Sequence, residues 1–304
     1  DADAMPDILH AQPAEDELLR EKSSASARGG IALVSTYTRP YLSHASIGPS
    51  CAVAWWHDNR LEVWSHSQAI HTLRAELART LHIDAANIVV RHGEGAGCYG
   101  HNGADDSALD AVLLARAVDG RPVRLQWMRE DEFGWEPFGP AMVVRIEGTL
   151  DRNGKVASWY EQIWSNRHVT RPGRHPNLGL LAAWHIDPGV EPPPAIDMPL
   201  AMGGGSQRNA LPYYDFPNER IVNHAVTPMP LRVGTLRALG AHLNVFAIES
   251  FMDELAEAGG IDPIDFRLRH LKDERARAVI EAAAAKANWK PGHKGDGTRG
   301  LGIG

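Results

Sequence analysis

Residues 88–118 read IVVRHGEGAGCYGHNGADDSALDAVLLARAV, and this stretch decides how the rest of the chain is organised. It combines a short β-branched strand, a glycine-dense loop and a long apolar helix. The glycines of the loop are Gly93, Gly95, Gly97, Gly100 and Gly103. Because glycine loses much backbone freedom on ordering, such a loop needs a compensating interaction. We therefore predict that its main-chain N–H groups approach a bound cofactor, and that Asp105 or Asp106 caps the following helix.

The same loop invites two other interpretations. Gly95, Gly97 and Gly100 satisfy G-x-G-x-x-G, the pattern of dinucleotide-binding folds. In those folds the third glycine lies in the first helical turn, and an acidic residue ends the next strand. Here residues 101–104 separate the third glycine from the expected helix cap, and the next strand, residues 123–127, is followed by Met and Arg. We therefore reject an NAD-binding dehydrogenase domain; a glycine-rich surface turn is the structural alternative.

Composition limits the class of protein. The chain has 304 residues, of which 43% are hydrophobic and 23% charged, so it can bury a large core. A net charge of −7 without any basic run disfavours nucleic acid as a partner. No transmembrane segment and no signal peptide is expected, so a soluble protein is predicted, in the cytoplasm or the periplasm. Cys51 and Cys98 are too few for an iron–sulfur cluster, and none is expected on this chain.

The order of periodic patterns predicts an α+β fold of mixed sheets with packed helices, because strands and helices alternate without the regular period of a parallel barrel. Residues 1–28 are polar and acidic and are predicted to form a flexible N-terminal arm, and residues 29–304 one domain. Strands are expected at 31–37, 52–57, 61–64, 121–128, 141–151 and 158–164, and helices at 68–81, 106–118, 239–259, 263–271 and 274–287. Residues 170–210 are rich in Pro and Gly and are predicted to be a functional or subunit-contact loop.

No motif of a protein-held metal or of a hydrolase occurs, and no protein metal ligands are predicted. Two polar residues, Gln68 and Arg237, are better placed than the rest to contact a bound group. Gln68 follows the strand that ends at Trp64 and starts a helix that Ser65 or Ser67 can cap, so its amide can face an oxo group; a surface glutamine is the alternative. Arg237 lies between glycines, where it can bind an anion or form a surface ion pair.

Four stretches of the sequence match the motifs of a known family in order and spacing. They are WSHSQ at 64–68, VRHGEGAGCYGH at 90–101, RPVRLQWMRED at 121–131, and GTLRALG at 234–240 followed by ESFMDELA and IDPIDFRLRHL. Over residues 39–271 the chain resembles the large molybdenum-binding subunit of the xanthine oxidase (molybdenum hydroxylase) family. It is most similar to members of the isoquinoline oxidoreductase, nicotinate dehydrogenase and aldehyde dehydrogenase type. The resemblance implies molybdopterin, or molybdopterin cytosine dinucleotide, whose dithiolene holds the molybdenum.

The resemblance also implies roles for single residues. Gln68 matches the glutamine that hydrogen-bonds an oxo ligand of molybdenum. The aromatic-glycine step of the family's glycine loop and the arginine loop on the other side of the cofactor have counterparts here as well. The cofactor-binding residues implied in this way are Gln68, Gly97, Tyr99, Gly100, His101, Arg237 and Ala238.

Departures from the family pattern bear on substrate and on catalysis. Tyr99 replaces the usual Phe, and residues 101–104 lack the acidic residue that holds a purine, so an N-heteroaromatic acid or an aldehyde is the expected substrate. The general-base Glu of the family lies in a second molybdenum-binding domain, and the chain ends at Gly304 before such a motif. We therefore expect a fragment of a larger chain that is inactive when isolated.

The function implied is that of part of a molybdenum hydroxylase. Such an enzyme oxidises its small-molecule substrate with water as the oxygen source and passes the electrons to iron–sulfur clusters. The implied partners are a small [2Fe-2S] subunit or domain and the remaining part of the large subunit. The alternative is a non-catalytic scaffold or assembly module that retains the fold without the cofactor.

Overall fold

The computed structural model of the chain describes residues 4–24, 30–118, 120–186, 189–292 and 295–304. Within these ranges the strands are β1 Ala14–Lys22, β2 Ile31–Arg39, β3 Cys51–His57, β4 Arg60–Ser65, β5 Ile88–His92, β6 Val123–Gln126, β7 Met142–Leu150, β8 Val156–Asn166 and β9 Glu219–Val226. The helices are α1 Met5–His10, α2 Ile70–Leu81, α3 Ala104–Ala117, α4 Arg129–Trp135, α5 Ala183–Ile186, α6 Ala241–Ala258, α7 Pro263–His270 and α8 Glu274–Lys286. The predicted α+β fold of mixed sheets with packed helices is confirmed.

The larger sheet has five strands in the order β1-β9-β8-β7-β2. β7 and β8 form the predicted hairpin, whereas β8 and β9 run parallel. Helix α6 packs on this sheet, and Phe251 meets Trp159 edge-on, with ring centroids 5.3 Å apart. Gly148 permits this close approach, since a Cβ there would lie 2.7 Å from the Phe251 ring. Helix α6 is therefore held firmly at the sheet, with its first turn directly after residues 234–240.

The smaller sheet has four strands in the order β5-β4-β3-β6. β4 and β5 are parallel and are connected through α2, and β3 pairs antiparallel with both β4 and β6. Helices α2 and α3 pack against this sheet through Leu73, Leu109 and Val112, which are completely buried. Leu180 belongs to the same core, so α3 is enclosed between the sheet and the chain that follows β8. This explains why α3 is apolar nearly all round.

Helix α2 begins later than its sequence pattern predicts. Its first residue is Ile70, and Ala69 is the N-cap residue and makes no side-chain capping bond. The Ser67 hydroxyl instead accepts the Ala69 N–H at 3.1 Å, in the turn before the helix. Gln68 consequently lies outside the helix, and it is exposed.

The predicted capping of α3 is wrong. The helix begins at Ala104, and the Asn102 side chain accepts the Ala104 N–H at 3.1 Å. Asp105 and Asp106 lie inside the first turn, where both are buried. Carboxylates in such a position need partners from other parts of the chain, because no solvent reaches them.

The prediction of a flexible arm over residues 1–28 is wrong for most of its length. Residues 5–10 form α1, and β1 pairs antiparallel with β9 from Ala14↔Val226 to Lys22↔Glu219. The alternating charges of β1 suggest a solvated arm, but they equally suit an edge strand, where charge discourages pairing with another chain. Residues 1–3 and 25–28 lie outside the described residues. No helix in the described part of the chain is both long and apolar enough to cross a lipid bilayer.

Candidate functional site

Two loops that are far apart in sequence meet at one place. We call residues 93–103 the glycine loop and residues 234–240 the arginine loop. The Arg237 N–H donates to the Tyr99 carbonyl, and the His101 N–H donates to the Thr235 carbonyl, each at 2.7 Å. These two bonds flank Gly100, which forms an isolated β-bridge with Leu236. The structure thus joins both loops that the sequence predicts to bind the cofactor.

Gly100 is required by this junction. Its φ is +134°, and a Cβ at this position would lie 1.9 Å from the Thr235 carbonyl oxygen. No larger residue fits there unless the two loops separate. Tyr99, with φ +62°, is also in the left-handed region, which few non-glycine residues adopt. Its ring lies against Gly97, where a Cβ would meet the tyrosine hydroxyl oxygen at 2.6 Å.

Arg237 covers the same tyrosine from the arginine loop. Its Cζ lies 5.1 Å from the centroid of the Tyr99 ring, a cation–π contact that links the two loops. Arg237 and Ala238 are both exposed. Among the described residues the Arg237 guanidinium makes no ion pair. Its positive charge is therefore available to an anionic group at this surface.

Gln68 is connected to the first turn of α3 through Arg171, a residue that no sequence motif indicates. Arg171 places Nη2 3.5 Å from the Gln68 Oε1 and Nη1 3.5 Å from an Asp105 carboxylate oxygen. The Ser67 hydroxyl donates to the other oxygen of Asp105. Because a guanidinium only donates, this contact keeps Oε1 toward Arg171 and leaves the amide N–H groups of Gln68 for another acceptor. Arg171 lies in the irregular segment 170–210, for which the sequence predicts a functional role.

His101 belongs to the glycine loop, and its side chain is turned into the protein interior. It is completely buried, and its Nε2 is 3.6 Å from an Asp105 carboxylate oxygen. Gly234 makes room for the ring, since a Cβ there would lie 3.2 Å from His101 Nδ1. Burial, followed by the charge of Arg171, holds the pKa of His101 well below its ordinary value, so the ring is neutral. Because the ring is completely buried, it does not reach the surface, and a cofactor contact of His101 stays a prediction.

The two acidic residues in the first turn of α3 form ion pairs with arginines from later in the chain. Arg232 donates from Nη2 to both carboxylate oxygens of Asp106, at 2.9 and 3.1 Å. The Arg232 guanidinium also lies over the Trp184 ring, with Cζ 5.3 Å from the centroid. Burial raises the pKa of Asp105, although the neighbouring Arg171 acts in the opposite direction. These pairs attach α3 to the segment 170–210 and to the chain directly before the arginine loop.

The donors on this surface suit an anionic group that brings its own metal ligands. No set of three or more His, Cys, Asp or Glu side chains that could hold a metal ion occurs among residues 4–24, 30–118, 120–186, 189–292 and 295–304. The two loops instead offer main-chain N–H groups and the guanidinium of Arg237, and the residue Gln68 before α2 offers its side-chain amide. A molybdenum held by a pterin dithiolene needs hydrogen-bond donors and positive charge from the protein rather than side-chain ligands. The residues present therefore fit the cofactor that the sequence implies.

A comparison with known families matches residues 20–187 and 195–271 to the molybdopterin cofactor-binding domain. The chain therefore belongs to the molybdopterin cofactor-binding domain family. This confirms the predicted resemblance to the molybdenum-binding subunits of the xanthine oxidase family.

Three relatives in sequence are named as subunits of dehydrogenases or oxidoreductases. A nicotinate dehydrogenase subunit from Pseudomonas putida is 44% identical over 269 residues, which are 86% of this chain and 21% of that protein. The aldehyde oxidoreductase molybdenum-binding subunit of Escherichia coli is 28% identical over 312 residues, 94% of this chain and 38% of that protein. The beta subunit of isoquinoline 1-oxidoreductase from Brevundimonas diminuta is 28% identical over 250 residues, 81% of this chain and 29% of that protein. The chain thus spans between 21% and 38% of the length of these relatives.

Solved structures share the fold. Quinoline 2-oxidoreductase from Pseudomonas putida 86 matches with a TM-score of 0.70 and 18% identity, over 93% of this chain and 36% of that chain. Aldehyde oxidoreductase from Desulfovibrio gigas matches with a TM-score of 0.66 and 16% identity, over 90% of this chain and 29% of that chain. The predicted fold of a molybdenum-cofactor-binding domain is therefore confirmed.

Proposed function

We propose that the chain forms one wall of a molybdopterin cleft in a molybdenum hydroxylase. The observation that carries this proposal is the junction at Gly100, where the glycine loop and the arginine loop are hydrogen-bonded to each other. The cofactor is molybdopterin or its cytosine dinucleotide. The partners of the chain are the remaining part of the large subunit and a small [2Fe-2S] subunit or domain, which receives the electrons.

Each wall residue has a distinct task in this proposal. Gln68 donates its amide N–H to an oxygen ligand of the metal, and Arg171 keeps the amide in that orientation. Arg237 places a positive charge beside the anionic pterin, and the Tyr99–Gly100 step lets the main chain approach it closely. When bound, the molybdenum cofactor supplies the two-electron oxidation that protein side chains cannot perform. The proton-abstracting base belongs to the second molybdenum-binding domain.

The substrate is an N-heteroaromatic compound or an aldehyde, and water is the source of the oxygen. Support comes from the names of the relatives, which specify nicotinate, isoquinoline and aldehydes. A purine is disfavoured because residues 101–104 contain no carboxylate to accept hydrogen bonds from its ring N–H groups.

The test uses the full-length polypeptide that contains this chain, produced in a host that makes the cofactor. We expect about one molybdenum per chain, and dye-linked oxidation of nicotinate or an aromatic aldehyde in preference to xanthine. Oxygen-18 from labelled water should appear in the product. A folded full-length protein without molybdenum would instead support the non-catalytic scaffold.

Replacing Gln68 by Ala should slow turnover while the molybdenum content stays unchanged. Removing one donor from a site where charge develops lowers kcat by about a hundredfold in comparable cases. We therefore expect a loss of roughly ten- to a hundredfold in kcat. Gln162→Ala, in β8 of the larger sheet, is the matched control and should keep the native kcat. An unchanged kcat in Gln68→Ala would show that this amide does not face the reacting centre.

A further inference from the structure

Arg39, the last residue of β2, is buried in an unusual environment. Only 3% of its surface is exposed, yet among the described residues no carboxylate pairs with it. Its guanidinium donates instead to two main-chain carbonyls, that of Pro140 at 2.9 Å and that of Leu239 at 3.1 Å. A buried charge without a counter-ion is costly, so its presence calls for a specific role.

The charge of Arg39 persists at neutral pH. Burial lowers the pKa of its guanidinium to about 10, which still leaves it protonated. The imidazoles of His168 and His242 are close enough to feel this charge, which adds to burial in lowering the pKa of both. Both imidazoles are therefore kept neutral, and neither adds a second positive charge beside Arg39.

The carbonyl that Arg39 holds belongs to a strained part of the arginine loop. Ala238 and Leu239 have φ values of +72° and +56°, so two consecutive non-glycine residues are left-handed. Such a conformation persists only when surrounding contacts hold it. The Leu239 carbonyl and the Gly240 N–H belong to the same peptide unit, and both are held: the Gly240 N–H donates to the Gly205 carbonyl at 3.0 Å, and the Leu239 carbonyl accepts from Arg39. The Arg39 guanidinium also ties this peptide unit to Pro140, in the chain that leads into β7.

We infer that Arg39 is a positioning residue for the cofactor wall. It acts through the Leu239 carbonyl, and the geometry it maintains is that of Arg237 and Ala238, the exposed residues of the same loop. The expected effect of Arg39 on cofactor binding rests on the proposed function. The expected effect of Arg39 on the conformation of the arginine loop does not.

The first experiment measures amide hydrogen exchange in the full-length protein, with Arg39→Lys as the variant. Lysine keeps the charge but lacks the planar fork that reaches two carbonyls at once. Arg74→Lys is the matched control. Arg74, in α2, also donates to two main-chain carbonyls, those of Ile88 and Ala85, but it lies beside the smaller sheet and away from the arginine loop. We expect the peptide covering residues 236–241 to exchange about tenfold faster in Arg39→Lys and at the native rate in Arg74→Lys, since local opening sets exchange. Equal protection of this peptide in the native protein and Arg39→Lys would overturn the inference.

The second measurement is the molybdenum content of the same proteins, with the Mo(V) electron paramagnetic resonance signal as the spectroscopic readout. Arg39→Lys should bind less molybdenum or give an altered signal, whereas Arg74→Lys should match the native protein in both. If Arg39→Lys does not accumulate as folded protein, Arg39→Gln, which keeps an amide donor, takes its place. A native signal and native content in the Arg39 variant would overturn the positioning role. Native protein without molybdenum would contradict the proposed function, while the exchange experiment would still decide the inference about the loop.

Discussion

Gly100→Ala should reduce the molybdenum bound per full-length chain by at least about tenfold, the ratio that corresponds to about 1.4 kcal/mol of binding free energy. The added methyl group would lie 1.9 Å from the Thr235 carbonyl oxygen, in a residue whose φ is +134°. Steric overlap with main-chain atoms and an unfavourable φ each cost about 1–3 kcal/mol. The two loops can relieve the overlap only by moving apart, which breaks the hydrogen bonds on either side of Gly100.

The glycine loop provides its own control. Gly93→Ala makes the same chemical change seven positions earlier, where a Cβ would meet nothing within 4 Å. This variant should keep native molybdenum content and native thermal stability. Measuring unfolding of both variants separates loss of cofactor from loss of folded protein. Gly100→Ala with native molybdenum content would show that the loop junction is not part of the cofactor cleft.

Local patterns make much of the fold predictable. Helix α6, helix α7 and the β7–β8 hairpin follow from periodicity and from turn residues, which act over short distances in sequence. The glycine loop and the arginine loop are recognisable in the sequence because their glycines interrupt the periodic patterns of the neighbouring strands and helices. That Gly100 and Leu236 pair with each other depends on how the two sheets pack, and no local pattern encodes this contact.

The ion pairs beneath the loops show why other parts of the site are not predictable from local sequence. The pattern favours Asp105 or Asp106 as a helix cap, which is the usual role of an acidic residue before an apolar helix. In the structure they pair with Arg171 and Arg232, residues that follow much later in the chain. A signal is present: the first turns of a helix that is apolar nearly all round are buried, so acidic residues there require buried partners. The identity of those partners requires the tertiary fold.

The pKa of Glu161 also depends on contacts made by the tertiary fold, and it leads to a prediction of how stability varies with pH. Glu161 lies in β8 with its side chain completely buried, and the Trp159 indole N–H donates to its Oε2 at 2.9 Å. Its Oε1 has no hydrogen-bond partner in the part of the chain that the structure describes. Burial, and to a lesser degree the charge of Glu219, raises the pKa of Glu161 to about 8, whereas its ordinary value is 4.5.

The sign of the effect on stability follows from this raised pKa. The folded state binds the proton more tightly than the unfolded state, so the contribution of Glu161 is fully favourable below pH 4.5 and is lost as pH rises through 8. Each pKa unit corresponds to about 1.4 kcal/mol, so the free energy of unfolding should fall by roughly 4–5 kcal/mol over this range.

Glu161→Gln should remove this pH dependence, because the amide cannot ionise and can still accept the Trp159 N–H. We expect the variant to match the native protein within about 1 kcal/mol near pH 4.5 and to exceed it by roughly 4–5 kcal/mol above pH 8. The measurement is urea unfolding of the full-length protein at several pH values, followed by the fluorescence of the buried Trp159 core. Glu257→Gln, an exposed change on α6, gives the baseline for the same chemical substitution. Parallel pH profiles for Glu161→Gln and the native protein would show that Glu161 is not protonated in the folded state at neutral pH.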